Sequence, residues 1–458
     1  MWTVTHLSTR LQALLTTTAD ALARETGFVQ RNSKLTGAHF VQALLFGWLN
    51  NPQATLQQLA QMAGSVGVPI SPQGLDQRFT PAAASYLQRL LEAAVTEIVT
   101  ADPVTIPLLQ RFRGVYLLDS TTIVLSDALA ALWPGCGGST QARTQAALKR
   151  QVQFDLSTGA LIGPFLQPGR EHDRAAPRQT EFPPGALRLA DLGYFHLDTL
   201  RELTTAGIYW LSRLHMQTHL FDQAGTQMDL LAWLSQNNAG ASDVHILLGA
   251  QACLPARLLA VKVPAQVAEQ RRRRLRQEAK RKGQTVSKRT LALAAWTLLV
   301  TNVPSDLLTL EEALVLLRTR WQIELLFKLW KSLGRLDESR STKPWRQLCE
   351  LYAKMLALLV QHWLLILSCW QYPDRSLTQA AQTIQRYATS LALALGCLTR
   401  LREVITNIQC CLQTGCRITR RRKHPSTYQL VLDCHSLANL TSVRDKEDTF
   451  PRKQYTFS

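Results

Sequence analysis

The stretch that most constrains this chain is T-LEEALVLLRTRWQIELLFKLWKSL-G, residues 309–334. Thr309 suits a helix N-cap, Glu312 three residues on completes a capping box, and Gly334 suits the position just past a C-terminus. The pattern predicts one long helix over residues 310–333. Steps of three and four residues return to the same side, so Leu317, Arg320, Glu324, Lys328 and Lys331 share a stripe. One acid among three cations admits two readings. It is either a solvated face laced with ion pairs, or a site where a carboxylate and a phosphate grip share one rod. The helix alone favours the first; two further stretches shift the balance.

At 458 residues the chain has room for two or more domains and a sizeable core. Lys and Arg number 51 against 33 Asp and Glu, a net charge of +18. That excess favours a polyanionic partner, nucleic acid ahead of an anionic membrane surface. The nine cysteines form no CxxC pair and no zinc spacing, which predicts reduced, buried thiols in a cytoplasmic protein. The first residues, MWTVTHLSTRLQ, lack a basic stretch followed by an apolar one, so no secretory signal is expected. The most apolar run, residues 355–370, is interrupted by Gln361 and His362. It falls short of the roughly 20 residues a membrane span needs, and a buried helix is expected instead.

Residues 1–100 read as a helical N-terminal DNA-binding domain. An apolar stripe covers 35–49, TLQQLAQMAG and SPQGLDQRF form a helix-turn-helix-like pair, and Thr80-Pro81 starts a helix to about residue 99. From Arg113 the pattern turns extended. GVYLLDSTTIVL (114–125) carries Asp119 in an apolar run, and 149–156 and 161–166 read as strands joined at Ser157-Thr158-Gly159. Asp155 is expected to cap that turn. A short strand at 186–190 ends on Asp191 beside Gly193, where α/β folds place site residues. A helix over 196–206 and a strand over 208–214 follow. Residues 216–302 form a β-rich insertion with strand-like pieces at 244–248, 258–263 and 294–300 and a basic run, QRRRRLRQEAKRK (270–282). So dense a run in a +18 chain points to phosphate. Beyond Gly334, helices are expected over 345–368 and 377–409. A second basic cluster, Arg417 with Arg420 to His424, and a polar, poorly ordered tail close the chain.

Asp119, Asp191 and Glu324 stand out as three acids, and both aspartates sit in strand-like apolar surroundings where an unpaired charge is costly. Carboxylates on separate elements can cradle hard divalent cations while leaving positions open for phosphate oxygens. The rival residues have simpler readings. Arg213 ends a strand and suits a fold ion pair as well as a DNA contact, and Lys149 approaches the cleft or is exposed. His172 has no Ser or Cys partner in view for triad chemistry.

LLDSTTIVL, RLADLGYF and RTRWQIELLFKLWKSL, in that order, resemble the DDE transposases of bacterial insertion sequences. The likeness is nearest to the group named for insertion sequence four, with its Y-x2-R-x3-E-x6-K signature. Arg320, Glu324 and Lys331 match R, E and K at that spacing, and Leu317 stands at the tyrosine position. The resemblance runs over about residues 114–334. It implies an α/β ribonuclease H-like catalytic domain (101–215 and 303–340) carrying the β-rich insertion (216–302). A helical C-terminal domain (341–458) balances the helical N-terminal one. It further implies that Asp119, Asp191 and Glu324 bind Mg²⁺ or Mn²⁺, two ions per site, for cleavage at element ends and strand transfer. Arg320, Lys328 and Lys331 would contact phosphates. Trp296 would stack a flipped base, or else it is a core tryptophan. The implied partners are terminal inverted repeats and target DNA, with two copies of the chain on paired ends, in the bacterial cytoplasm at the nucleoid. A catalytically inactive DNA-binding relative and a general ribonuclease H-like nuclease are the alternatives.

Overall fold

The computed structural model describes residues 2–31, 34–135, 145–172, 182–236, 239–281, 283–372 and 374–418. In chain order the elements are α1 (Val4–Ala13), α2 (Ala19–Glu25), α3 (Gly37–Asn50), α4 (Leu56–Ser65), α5 (Pro72–Asp76), α6 (Pro81–Val95) and α7 (Pro107–Gln110). Strands β1 (Val115–Val124), β2 (Ala147–Asp155), β3 (Leu161–Pro168) and β4 (Leu187–Ala190) precede α8 (Leu197–Thr205) and β5 (Tyr209–Arg213). Next come β6 (Leu220–Phe221), α9 (Leu230–Gln236), β7 (Ala241–Leu248), β8 (Leu254–Lys262), α10 (Ala265–Arg281), α11 (Lys288–Leu293) and β9 (Trp296–Thr301). Helices α12 (Leu310–Thr319), α13 (Trp321–Ser332), α14 (Pro344–Cys369), α15 (Leu377–Arg386), α16 (Ala388–Ala394) and α17 (Leu398–Thr414) complete the described chain. This is a mixed α/β protein, as the pattern predicted.

The chain divides into two compact units, and β1 contributes residues to both. The first unit takes residues 1–105, 118–179 and 323–419. Its centre is α14, on which α3, α6 and α17 pack. Every residue from Leu348 to Ile366 is buried, so the apolar run is a core helix, as expected. It is longer than the run suggested, 26 residues, because Pro344 starts it at a position where a missing N–H costs nothing. Within it Glu350 and Lys354 form a buried ion pair at 2.8 Å, 4% and 3% exposed. The Lys354 ammonium also donates to the carbonyls of Arg335 and Glu338. The strands of this unit run β3-β2-β1. Asp155 caps the β2–β3 turn as expected, accepting from Ser157 N–H at 2.9 Å and the Thr158 hydroxyl at 2.7 Å. Gly159 in that turn has φ +72°, and a Cβ there would lie 2.6 Å from the Trp370 indole, so both backbone and space require glycine.

The second unit takes residues 106–117 and 180–322 of the described chain. Its strands run β1-β4-β5-β9-β8-β7-β6; β4 and β5 are parallel, and β5-β9, β9-β8, β8-β7 and β7-β6 are antiparallel. Apolar side chains of these strands and of α8 and α9, with Trp210, Leu258 and Val300 among them, form one core. Arg257, 2% exposed, pairs with Asp243 and donates to the carbonyls of Val303 and Leu308, which fixes the segment entering α12. The insertion carries α9, α10 and α11 beside its strands; the basic run lies on α10.

Three expectations about helices need correction, two for the same reason. The helix predicted over 310–333 is two helices parted at Arg320. The Thr319 hydroxyl donates to the Leu316 carbonyl at 2.6 Å, the acceptor that the Arg320 N–H needs to continue the α-helical ladder. Helix α6 likewise stops at Val95, not near 99, where the Thr96 hydroxyl takes the Ala93 carbonyl at 2.7 Å. The helix predicted over 377–409 is three, separated at Tyr387 and at the extended Cys397 after Gly396. At the end of α13 the left-handed residue is Arg335 (φ +42°), not Gly334. Gly334 is needed because a Cβ would meet the Trp330 carbonyl at 2.6 Å and Leu358 at 2.8 Å. Among the described cysteines, which are free, Cys349 and Cys369 are buried but Cys253, Cys397, Cys410 and Cys411 are exposed, against the expectation of buried thiols. Most of the second basic cluster and the tail lie outside the described residues.

Candidate active site

Asp119 sits in the middle of β1 in the first unit, half-buried, and its Oδ1 accepts from the Ser120 N–H at 2.8 Å. Asp119 shares a strand face with buried Leu117 but is itself only half-buried, at the border of the core, so a carboxylate is tolerated there. Asp191 follows β4 directly in the second unit and is exposed. It begins a short 3₁₀ turn, Leu192–Tyr194, whose closing N–H bonds back to the Asp191 carbonyl at 2.9 Å. Buried Tyr194 lies 5.8 Å from the guanidinium of Arg188, also buried, and burial lowers that guanidinium to about 10.

The break at Arg320 changes the electrostatics of the signature helix. Glu324 is no longer mid-helix; it lies in the first turn of α13, where unsatisfied N–H groups and the helix dipole favour an anion. Lys331 lies in the last turn, where the dipole favours a cation. Glu324, Lys328 and Lys331 are all half-buried and Arg320 is 8% exposed, so the stripe is not the solvated face that a lone helix suggested. Leu317, also 8% exposed, is a core side chain of the second unit. The Lys331 ammonium is lowered by burial first and by the nearby Arg150 charge second, with Asp337 opposing.

The start of α12 is fixed independently. The capping box between Thr309 and Glu312 is present, and Arg111 forks onto the Glu312 carboxylate with two 2.7 Å bonds. Burial raises the Glu312 pKa, but bonds from Arg111 and Thr309 outweigh it and leave the group below the usual carboxylate range.

One side chain of β2, Arg150, reaches the back of α13. Arg150, fully buried, has its guanidinium 4.9 Å from the Trp330 ring and 5.4 Å from the Phe327 ring. Such contacts contribute about 0.5–2 kcal/mol each when desolvated. Sequence reading passed over Arg150. Its signal was phase: before the irregularity at Gln151–Gln153 it shares a strand face with Leu148. Lys149, on the other face, donates to the Glu171 carbonyl, and His172 is exposed.

In the second unit Trp296 opens β9, half-buried against the core, with the Lys262 ammonium 6.0 Å from its ring and Arg271 donating to its carbonyl. Arg213 ends β5 opposite Leu299. Arg271 and Arg272 of α10 fold back onto Thr297 and the Leu291 carbonyl, while Arg273 and Arg276 stay 73% and 55% exposed around Glu269. Asp119 and Glu324 thus fall in one unit and Asp191 in the other. No group of three His, Cys, Asp or Glu side chains is gathered as a metal site among the described residues.

Residues 110–360, more than half of the chain, match the transposase DDE domain. The chain is 26% identical over 365 residues to the transposase for insertion sequence element IS231F of Bacillus thuringiensis subsp. israelensis, covering 74% of this chain and 76% of that protein. It is 25% identical over 363 residues to the transposase for insertion sequence element IS1151 of Clostridium perfringens, with 74% and 76% covered. The match spans β1 with Asp119, the β4 end with Asp191 and α13 with Glu324. The chain belongs to the DDE transposase family.

Proposed function

We propose that this transposase cleaves DNA at the ends of an insertion sequence and joins the freed 3′ ends to target DNA, with Asp119, Asp191 and Glu324 holding divalent cations. The observation that carries the reading is α13: a carboxylate and two ammonium groups lie within eight residues of one helix, all half-buried. Long charged side chains held off from open solvent suit contact with a bound polyanion better than simple solvation. All three acids offer carboxylate oxygens, the donors that Mg²⁺ or Mn²⁺ prefer. Bound there, two cations would stabilise charge on the attacking and leaving oxygens of a phosphodiester. The chain's own cations have separate tasks. Lys328 and Lys331 contact phosphates beside the cleaved bond, and Arg320, more deeply buried, steadies the approach. Trp296 offers its indole face for an unstacked base to stack on. The exposed cations of α10 grip duplex backbone, and Arg213 adds a further contact to DNA. Two copies on paired ends supply one site per end, in the cytoplasm where the nucleoid is.

The test uses a duplex ending in the inverted repeat that flanks the coding sequence. With Mg²⁺, the wild type nicks at the repeat boundary and transfers the strand, whereas Asp119→Asn, Asp191→Asn and Glu324→Gln bind the duplex without cutting. Cutting by any of these variants at the wild-type rate removes that residue from the site. Binding by the wild type without cleavage in Mg²⁺ or Mn²⁺ would make the chain a DNA-binding relative. Cutting with no preference for the repeat would make it a general nuclease.

A further inference from the structure

Arg150 is an expensive residue in its place. Its side chain is fully buried, and none of its three guanidinium nitrogens has a hydrogen-bond partner among the described residues. Burial lowers the group to about 9, so it is still a cation at neutral pH, and exposed Asp337 supplies the countercharge that opposes the shift. A methionine or leucine would fill the volume without desolvating a charge, and buried ions replaced by apolar groups often leave a fold equally or more stable. What Arg150 meets instead is the faces of Phe327 and Trp330, three residues apart on the inward side of α13.

That arrangement discriminates between settings of the helix. An apolar side chain packs nearly as well after a small rotation of α13. A buried cation does not, because turning the ring faces away removes most of the electrostatic compensation it has. β2 also lies beside β1, the strand of Asp119, so the helix is referenced to the strand next to one candidate ligand. Glu324, Lys328 and Lys331 ride on the same helix, and its phase decides where they point. We propose that Arg150 is a positioning residue, which fixes the rotational setting of α13 through the Phe327 and Trp330 rings and so aims the Glu324 carboxylate. The proposal rests on Glu324 belonging to the active site.

The decisive variant is Arg150→Met in the full chain, on the inverted-repeat duplex. Its melting temperature stays at or above that of the wild type, and its affinity for the duplex stays within about twofold. Single-turnover cleavage falls between about ten- and a hundredfold, the scale of a displaced reacting group. Backbone amides of residues 326–332 exchange faster in the DNA-free protein. Trp330→Leu alone produces a similar loss but adds little to Arg150→Met, since both remove one contact. Wild-type cleavage and wild-type exchange in Arg150→Met overturn the proposal, as does a loss that only tracks the unfolded fraction. Should Arg150→Met not fold, Arg150→Lys takes its place, keeping the charge but not the planar group that covers two rings. Slower cleavage at unchanged melting temperature then supports the proposal, and unchanged cleavage overturns it. Glu324→Gln is run beside these variants. If it cleaves, the site assignment fails, while amide exchange still judges what Arg150 does to α13.

Discussion

The ion pair between Glu350 and Lys354 makes a sharp prediction about what secures the segment behind the signature helix. Lys354→Met removes the 2.8 Å contact to Glu350 and both bonds to the carbonyls of Arg335 and Glu338. Glu350 is left 4% exposed with a bond from Ser339 as its main compensation. Breaking a buried pair from one side costs about 3–5 kcal/mol. For a unit of this size, about 2–4 °C per kcal/mol lowers the first unit's melting temperature by about 10 °C. Glu350→Leu combined with Lys354→Met removes the stranded charge and leaves two carbonyls short of a donor. That combination recovers all but about 2 kcal/mol. Calorimetry at neutral pH, with urea titration as a second measure, reads both variants. A single variant melting within about 2 °C of the wild type would falsify the reasoning, as would a double variant no better than the single one.

Two further outcomes follow from groups away from the acids. His362 is buried beside Phe154 and bonded to the Gly159 carbonyl, and burial holds its pKa down to about 4. The unfolded chain, with a pKa near 6.5, binds the proton first. The stability His362 contributes is therefore complete above about pH 6.5 and lost as pH falls toward about 4, by about 3 kcal/mol. Urea titrations across that window show the slope, and His362→Gln flattens it; an unchanged slope means that other groups cause it. On α10, Arg273→Ala with Lys280→Ala lowers the log–log salt slope of binding to a nonspecific duplex by about 2. A slope equal to the wild type's places those cations off the DNA.

Much of this protein could be read before its structure, because the informative patterns are local. The β2–β3 turn, the Thr309 cap and the β4 end at Asp191 each depend on residues a few positions apart. Helix breaks were missed where a threonine hydroxyl competes for a carbonyl, at Thr319 and Thr96, since a period of 3.6 does not register that competition. The Arg335 turn was missed because glycine beside it drew the assignment, although its own need is room against Leu358. Of the site, residue types and order were legible, and burial was not. Leu317 looked like a gap in a surface stripe and is a core residue. Arg150 looked like one more cation in a basic chain and lies between two aromatic rings. Both differences depend on contacts from distant parts of the chain.

Helix α14 also has a consequence for how the chain is made. By length and apolarity it would pass for a membrane-crossing segment, and 94% of its most apolar window is covered in the folded protein. Two of the helices that cover it, α3 and α6, precede it by some 250 residues or more, and α17 follows within about 30. A chain synthesised at about 5–20 residues per second therefore has two docking partners for α14 available many seconds before it emerges. The sides that α15 and α17 cover wait, for a few seconds. The order of elements keeps the stickiest helix from meeting water, or other chains, bare on all sides.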